Sequence, residues 1–349
     1  MTRLEENLYI KKPLRFKDGK FRILTFSDLH GIRNYDTRLI RDLDAIIENV
    51  KPDLVMLLGD VGWRTAVTDA QVFAEYLSDV VAPMERRKIP WCHVFGNHDD
   101  ERGLTNEMQE PVYESFECCV SKCGPEEAAG TANYVLPVKS ENSDEIIFNV
   151  WGLDSHDSMG DYIKEFSLKT DPWFFNLPDP LYPFCGYDSI RFNQIMWYWN
   201  SSEELNAHAG KKIPGIMAFH IPLPEFIVLY KNTAQTYYKG TRRESVGCSP
   251  FNSGLFNALV ERGEVKAVIC GHDHINDFEG DYCNIRLAMD GGISYDCYCD
   301  DDLRGGRVIE VKEDSPEIIE TYMVRSADYV EDYPGTCVRK YGDAMPIDE

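Results

Sequence analysis

Short apolar runs recur along this chain, and five of them are followed at once by side chains that can bind metal ions. The runs end at Phe26, Leu58, Phe95, Phe219 and Cys270. The polar residues that follow them are Asp28, His30, Asp60, Asn97, His98, Asp99, His220, His272 and His274. Continuous apolar runs are typical of strands buried on both faces. Because open α/β sheets bind ligands at the carboxyl edge of their parallel strands, the pattern predicts one polar site at such an edge.

The first hundred residues alternate between two periodicities. Phe21–Phe26, Leu54–Leu58 and Pro90–Phe95 are predicted strands, whereas Leu39–Val50 and Val72–Val81 place apolar residues at helical spacing. The resulting β-α-β-α-β order is typical of α/β layer folds.

The rest of the chain is richer in strands. The predicted strands there are Ile146–Trp151, Ile213–Phe219, Val265–Cys270, Ile285–Met289, Arg307–Val311 and Ile318–Met323. Ser253 is the predicted cap of a helix that ends near Arg262, and Trp197–Trp199 lie on a predicted helix that packs into a core. Two packed sheets with helices outside them satisfy both halves of the chain.

Three stretches are predicted to be long loops: Glu101–Ala129, Asp154–Tyr187 and Lys231–Ser249. Loops of this length in a compact domain usually act as lids or binding loops. The second is rich in proline and aromatic residues.

The charge balance restricts the partners. With 36 basic and 59 acidic side chains the formal charge is −23, so we expect no general nucleic-acid binding. An acidic protein that handles phosphate needs cations to do so. The chain has no apolar run of membrane-spanning length and no apolar signal segment at its start, so we expect a cytosolic protein that does not enter membranes.

The 11 cysteines are predicted to be free thiols. Cys118, Cys119 and Cys123 lack a paired second half with zinc-site spacing, and the same holds for Cys297 and Cys299. We therefore expect no structural zinc site at either place.

Seven of the polar side chains form a plausible ligand set for metal ions. They are Asp28, His30, Asp60, Asn97, His220, His272 and His274. Carboxylate, amide and imidazole together suit Mn, Fe or Zn better than Ca. Seven ligands with one bridging carboxylate fit two divalent ions about 3.5–4 Å apart, an arrangement that activates water and clamps a phosphoryl group.

The motifs D-x-H at Asp28, GD at Asp60, GNHD at Asn97, the later His220 and G-H-x-H at His272 resemble those of the calcineurin-like metallophosphoesterase superfamily. The stretches KPDLVMLLGD, GNHDDE, FHIPLPE and VKAVICGHDHINDF are similar to a purple-acid-phosphatase-related branch. The resemblance implies a four-layer α/β/β/α sandwich of two mixed β-sheets flanked by helices. It also implies one catalytic domain over residues 21–325, with an N-terminal extension at 1–20 and an acidic C-terminal extension at 326–349.

The resemblance also implies a role for each site residue. Asp28, His30, Asp60 and His274 would hold the first ion, and Asp60 would bridge to the second. Asn97, His220 and His272 would complete the second site. His98 would contact the substrate phosphate and protonate the leaving group, and Asp99 would orient the His98 ring.

One position departs from the purple acid phosphatases. Their iron-binding tyrosine is replaced by Trp63, and their D-x-G motif is D-x-H here. Indole offers only an N–H donor and cannot ligate as a phenolate. We therefore expect two divalent ions rather than a tyrosinate-bound ferric ion.

Three further residues are candidates for substrate binding. Arg102 and Arg33 follow site motifs and could reach a phosphate oxygen, or could serve as salt-bridge partners. His156 could line the cleft or be an ordinary loop histidine.

The sequence therefore favours a hydrolase of phosphate esters that uses a dinuclear centre and metal-activated hydroxide, with a phosphomonoesterase as the leading interpretation. A phosphodiesterase or nucleotide hydrolase is the alternative, since the aromatic loop could stack a base. A non-catalytic metal-binding scaffold is the third. Oligomeric state is not encoded in these motifs.

Overall fold

The computed structural model describes residues 2–31, 33–62, 70–101, 103–169, 186–231, 238–331 and 333. One of its two sheets has five strands. In spatial order these are β13 (Ile319–Arg325), β12 (Gly305–Lys312), β2 (Lys20–Phe26), β3 (Leu54–Leu58) and β4 (Trp91–Val94). Strands β2, β3 and β4 run parallel, and β12 is antiparallel to both of its neighbours.

The other sheet has eight strands. In spatial order they are β1 (Leu14–Arg15), β5 (Tyr134–Lys139), β6 (Ile146–Gly152), β7 (Gly215–Phe219), β9 (Val265–Cys270), β11 (Ile285–Met289), β10 (Glu279–Tyr282) and β8 (Tyr238–Lys239). The central pairs β6–β7, β7–β9 and β9–β11 are parallel. Antiparallel pairs flank them, so this sheet is mixed too.

Helices cover the outer faces of the sheets. The described helices are α1 (Arg3–Leu8), α2 (Arg38–Val50), α3 (Ala70–Arg87), α4 (Asn106–Ser115), α5 (Met159–Glu165), α6 (Phe192–Ala209), α7 (Glu225–Lys231), α8 (Leu255–Arg262) and α9 (Ser326–Tyr329). None of them is both long and apolar enough to cross a membrane.

Successive side chains of β7 belong to two different cores, and this shows how the sheets and helices are layered. Ile216 and Ala218 belong to the core that also contains β2, β3, α2 and α3. Met217 and Phe219 point the other way and join a second core with α6 and α8. Because successive side chains of a strand face opposite sides of a sheet, β7 lies between the five-stranded sheet and an outer helical layer. The predicted four-layer α/β/β/α sandwich is confirmed.

Two of the predicted long loops contain helices that the sequence pattern did not reveal. Segment 101–129 includes α4, whose buried side chains are mostly polar, among them Gln109 and Glu110. An apolar periodicity cannot detect a helix that buries polar groups. Segment 154–187 includes the seven-residue α5, which is too short for a periodic pattern. Residues 170–185 and 232–237 of the predicted loops lie outside the described residues.

The predicted helix cap at Ser253 is wrong by one residue. The residue that precedes α8 is Gly254, whose φ of 86° is left-handed and suits glycine. The Ser253 hydroxyl lies 3.4 Å from the Leu255 nitrogen and accepts its N–H from one position further out.

The segment before residue 21 is packed onto the domain. β1 pairs in parallel with β5, and α1 packs against α6 and β5. At the other end, α9 follows β13 and packs on α2. Nine cysteines lie in the described part of the chain, and all nine are free thiols.

Candidate metal centre

The loops after five parallel strands deliver the candidate ligands to one place. Asp28 and His30 follow β2, Asp60 follows β3, and backbone hydrogen bonds tie these two loops together. The His30 N–H donates to the Asp60 carbonyl at 3.0 Å, and the Asp28 N–H donates to Gly59 at 3.2 Å. Asn97 follows β4, and the remaining histidines follow β7 and β9 in the facing sheet. The carboxyl edges of both sheets therefore build the site.

One carboxylate oxygen faces three imidazoles. Asp28 Oδ1 lies 3.2 Å from Nε2 of His274, 3.6 Å from Nε2 of His30 and 3.9 Å from Nε2 of His220. All four side chains are buried, and Asp28 Oδ1 has no hydrogen-bond partner. A buried carboxylate oxygen without a partner is costly unless a cation satisfies it.

A second cluster, around Asp60, shares His30 and His220 with the first. Asp60 Oδ2 lies 3.2 Å from His220 Nε2 and 3.6 Å from His30 Nε2. Nδ1 of His272 lies 3.2 Å from His220 Nε2. Asn97 Oδ1 is buried and has no hydrogen-bond partner. Asp60 is thus a member of two groups whose ligand atoms lie within 4.8 Å of one another, one with His220 and His272 and one with Asp28 and His30.

These residues fit a pair of divalent ions. Their donors are nitrogen and oxygen atoms, all of the residues except the half-buried Asn97 are buried, and two of their oxygen atoms lack a hydrogen-bond partner. Asp60, which stands in both groups, is the residue suited to bridge two ions.

Carbonyl oxygens fix two of the histidine rings. Nδ1 of His220 lies 2.7 Å from the Leu58 carbonyl, and Nδ1 of His274 lies 2.7 Å from the Tyr298 carbonyl. A carbonyl can only accept, so in both rings the proton is on Nδ1 and the Nε2 lone pair points into the site when the ring is neutral. Such outer contacts orient histidine ligands in metal sites.

Backbone strain is concentrated at the ligands. Asp28, His30, Asp60 and His272 have φ values of 56°, 50°, 50° and 75°. The left-handed region disfavours residues with a Cβ, at about 1–3 kcal/mol each, and such strain clusters at functional sites. The fold thus holds these four residues in backbone conformations that local preference alone would not select.

Burial and charge push the pKa values of the histidines apart. Burial lowers the pKa of His30 to about 4 and that of His272 to about 3. Burial also acts to lower the pKa of His220, but the carboxylates of Asp60 and Asp28 outweigh it and raise that pKa to about 9. The two carboxylates therefore stabilise positive charge on His220, whereas burial disfavours it on His30 and His272.

Residues 21–276 match the sequence profile described as calcineurin-like phosphoesterase. The chain belongs to the calcineurin-like phosphoesterase family. This confirms the family resemblance expected from the motifs.

Curated relatives of this chain are named as purple acid phosphatases or as phosphatases. The chain is 31% identical over 320 residues to "Probable inactive purple acid phosphatase 29" of Arabidopsis thaliana. The matched region covers 82% of this chain and 76% of that protein. It is 30% identical over 288 residues to "Phosphatase DCR2" of Saccharomyces cerevisiae. Here the matched region covers 75% of this chain and 45% of that protein. The predicted branch is confirmed.

A solved structure supports the fold. The crystal structure of a dimetal phosphatase from Danio rerio superimposes with a TM-score of 0.50 at 12% identity, over 88% of this chain and 99% of that one. At this identity the likeness concerns the fold alone.

Asp99, which the family resemblance places beside the His98 ring, has different contacts. Its Oδ2 accepts the backbone N–H groups of Asp60 and Gly96, at 2.9 and 2.8 Å, and its Oδ1 accepts that of Gly62 at 2.9 Å. Its carboxylate therefore holds the loops after β3 and β4 rather than the ring, because three inward-pointing N–H groups occupy its oxygens. Burial, followed by the charge of Asp60, raises the pKa of Asp99 to about 7.

His98 lies at the edge of the same cluster. Its N–H donates to Asp60 Oδ1 at 2.8 Å, and its ring centroid is 5.4 Å from that of His30. The carboxylate beside its ring is Glu101, whose Oε1 lies 2.9 Å from Nδ1. Burial acts to lower the pKa of His98, but Asp60 and Glu101 raise it overall. Sequence reasoning missed Glu101, although its spacing of three residues within the same turn was a usable signal.

The three substrate-binding candidates are described unequally by the structure. Arg33 has an exposed side chain, and Arg102 lies outside the described residues, as does Trp63. His156 is half-buried, with Nε2 3.0 Å from Oε1 of Gln194 on α6. Contact of these residues with a phosphate ester stays a prediction.

Three residues near the cluster carried no sequence signal of their role. The Tyr298 ring stacks on His274 at 4.1 Å between centroids, and the Tyr187 ring meets His272 edge-on at 4.2 Å. Cys297 lies beside His30 and His274. They come from distant loops, so no local spacing connects them with the ligands.

Proposed function

We propose that this protein hydrolyses phosphate monoesters with the help of two divalent metal ions. The observation that carries the proposal is the position of Asp60, a buried carboxylate shared by two groups of metal-type ligands. Asp28, His30, Asp60 and His274 are the proposed ligands of the first ion. The proposed ligands of the second ion are Asp60, Asn97, His220 and His272.

The ions, when bound, would activate a water molecule and neutralise charge on the phosphoryl oxygens. The protein's own groups do the rest. Asp28 and Asp60 supply negative charge that retains the cations, and the protonated Nδ1 positions of His220 and His274 keep their Nε2 atoms turned inward. Hydrogen bonds between the loops and at the two rings hold these groups in place before substrate arrives, which reduces reorganisation during the reaction.

His98 is the proposed proton donor to the leaving oxygen. Glu101 lies at Nδ1, so we assign the contact with a phosphate ester to Nε2. With its pKa raised, the imidazole favours the protonated form that donates to phosphate and then to the leaving group. The phosphomonoester preference is supported by the name of the yeast relative, "Phosphatase DCR2".

Comparison of two aryl substrates tests the substrate class. The purified full chain, loaded with Mn²⁺ or Zn²⁺, should hydrolyse para-nitrophenyl phosphate faster than bis-para-nitrophenyl phosphate. A large preference for the diester would refute the monoesterase proposal and favour a phosphodiesterase or nucleotide hydrolase at the same centre.

A non-catalytic scaffold is the second candidate, since the Arabidopsis relative is named "probable inactive". The seven proposed ligands and His98 are all present in this chain, which supports catalysis. Elemental analysis should find about two metals per chain, with hydrolysis lost to a chelator and restored by Mn²⁺. Full occupancy without turnover of either ester would favour the scaffold, and a chain that takes up no metal would exclude both proposals.

A further inference from the structure

Cys297 lies beside the proposed first metal position, although it is not one of the seven predicted ligands. It belongs to the long connection between β11 and β12 and is 4% exposed. Its Sγ and one ring nitrogen each of His30 and His274 lie within 4.8 Å of one another, and all three residues are buried. A thiol and two imidazoles therefore form a potential metal-binding group of their own.

A carboxylate oxygen also approaches these two rings. Asp28 Oδ1 lies 3.2 Å from His274 Nε2 and 3.6 Å from His30 Nε2, is fully buried and has no hydrogen-bond partner. This carboxylate oxygen and the Cys297 thiol thus approach the same two rings. The unpartnered oxygen is independent evidence that a cation belongs beside these two rings.

The loop that carries Cys297 is fixed to the site. The Cys297 N–H donates to Ser294 Oγ at 3.1 Å, and the adjacent Tyr298 carbonyl accepts the Nδ1 proton of His274 at 2.7 Å. The Tyr298 ring also stacks on His274, with an interplanar angle of 6°. These contacts hold the main chain at Cys297 and Tyr298 beside His274, so the attachment point of the thiol is fixed by the fold.

We propose that Cys297 is an additional ligand, through Sγ, of the metal ion held by Asp28, His30 and His274. This rests on the dinuclear centre of the proposed function. On binding, the thiol proton leaves to solvent and an Sγ–metal bond forms, so each ion bound at this position releases one further proton. Because thiolate is a soft ligand, the first position should prefer Zn²⁺ or Fe²⁺ to Mn²⁺, whereas the second keeps only nitrogen and oxygen ligands.

Cys299 provides a matched control two residues away. It is also buried, at 1% exposure, but its Sγ lies 3.2 Å from the Gly292 carbonyl and 3.7 Å from that of Asp300. Its thiol belongs to no group of metal-type ligands found among the described residues. Cys299→Ser therefore changes a buried thiol of the same loop without removing the proposed ligand.

Cobalt substitution of the full chain tests the inference. Co²⁺ bound to a thiolate gives a sulfur-to-cobalt charge-transfer band in the near ultraviolet, separate from the visible bands that report any bound Co²⁺. We expect the ultraviolet band in the wild type and in Cys299→Ser, and its loss in Cys297→Ser. Cys297→Ser should also weaken binding of Zn²⁺ by about tenfold or more, the scale typical of altered metal surroundings.

Visible cobalt bands without the ultraviolet band in the wild type, or an ultraviolet band that persists in Cys297→Ser, would overturn the inference. In either case the dinuclear centre would stand. Failure of the wild type to take up Co²⁺ would instead refute the metal centre itself. X-ray absorption of the zinc-loaded wild type avoids the question of whether the variant folds, since one Zn–S distance of about 2.3 Å is expected and its absence would exclude Cys297 as a ligand.

Discussion

The carboxyl group of Asp99 accepts the backbone N–H of Asp60 at 2.9 Å, so a buried side chain from the loop after β4 holds the main chain of the loop after β3. The same oxygen accepts the N–H of Gly96. Gly96 itself packs so closely that a Cβ there would lie 2.2 Å from Asp60 Oδ1. Asp60 is thus positioned through its backbone by a neighbour that need not touch metal or substrate.

Asp99→Asn should lower both stability and metal affinity. An amide replaces one acceptor oxygen by an NH₂ group, which then faces at least one of the N–H groups of Asp60, Gly62 and Gly96. A buried N–H group left without an acceptor should reduce the free energy of unfolding by about 1–3 kcal/mol. Urea denaturation of the chelated protein and zinc titration measure the two effects.

The control is Asp144→Asn, since that side chain is 79% exposed and paired only with surface cations. It should change neither quantity by more than about 0.5 kcal/mol. An Asp99→Asn variant as stable as the wild type would show that this carboxylate does not hold the loops.

Sequence reasoning worked where local pattern and position in the fold are linked. A strand buried on both faces must be continuously apolar, as Leu54–Leu58 is, and a ligand that follows such a strand reaches the carboxyl edge of the sheet. The ligand candidates could therefore be named from spacing alone.

Sequence reasoning failed where a contact depends only on how distant parts of the chain pack together. The helix α4 buries Gln109, which donates to the Asp99 and Leu104 carbonyls, so its inner face has no apolar signature. Cys297 and His30 meet although most of the chain separates them, and no motif records that contact. The contacts of Asp99 likewise depend on how two loops pack, which no spacing within GNHD specifies.

His98→Ala should reduce turnover without removing the metals. We expect kcat to decrease by about 10²–10⁴-fold, the usual contribution of a positioned general acid. The decrease should be larger for an alkyl phosphate than for para-nitrophenyl phosphate, because a poor leaving group depends more on protonation. Metal content by elemental analysis should remain at the wild-type value.

Glu101→Gln should produce a smaller loss of about 10–100-fold, as for other groups that position a functional side chain. His208→Ala, an exposed histidine near the end of α6, is the control and should retain full activity. If His98→Ala loses the same factor in kcat for alkyl and aryl phosphates, His98 is not the proton donor to the leaving group.

Metal removal should destabilise the protein through the proposed ligands. An ion that binds only the folded state at 100 times its Kd adds about 2.7 kcal/mol to the free energy of unfolding. Chelation should therefore lower the thermal midpoint, and added Zn²⁺ should restore it. In His220→Ala the zinc-dependent gain should be smaller by at least about 1.4 kcal/mol, which corresponds to tenfold weaker binding. His208→Ala is the control. If zinc stabilises His220→Ala as much as it stabilises His208→Ala, His220 is not a ligand.

Asp290, next to β11, should make the stability of the chelated protein depend on pH. Its carboxyl group is fully buried, accepts the Thr25 hydroxyl at 2.5 Å, and has a pKa that burial raises to about 8. An unfolded aspartate titrates near 3.9. Between about pH 4 and pH 8 the folded state thus holds a proton that the unfolded state has lost, so stability should fall as pH rises through this window.

Asp290→Asn keeps the shape of the side chain and its carbonyl acceptor for Thr25 but cannot ionise. Its free energy of unfolding should exceed that of the wild type by on the order of 3 kcal/mol at pH 7, with the difference shrinking toward pH 4. Urea denaturation in chelator at several pH values measures this, and the exposed Asp281→Asn should leave the wild-type slope unchanged. A wild type and an Asp290→Asn variant with parallel pH profiles would mean that Asp290 is ionised in the folded protein. Its negative charge would then have to be balanced by the nearby guanidinium groups of Arg307 and Arg325, which already act to lower its pKa.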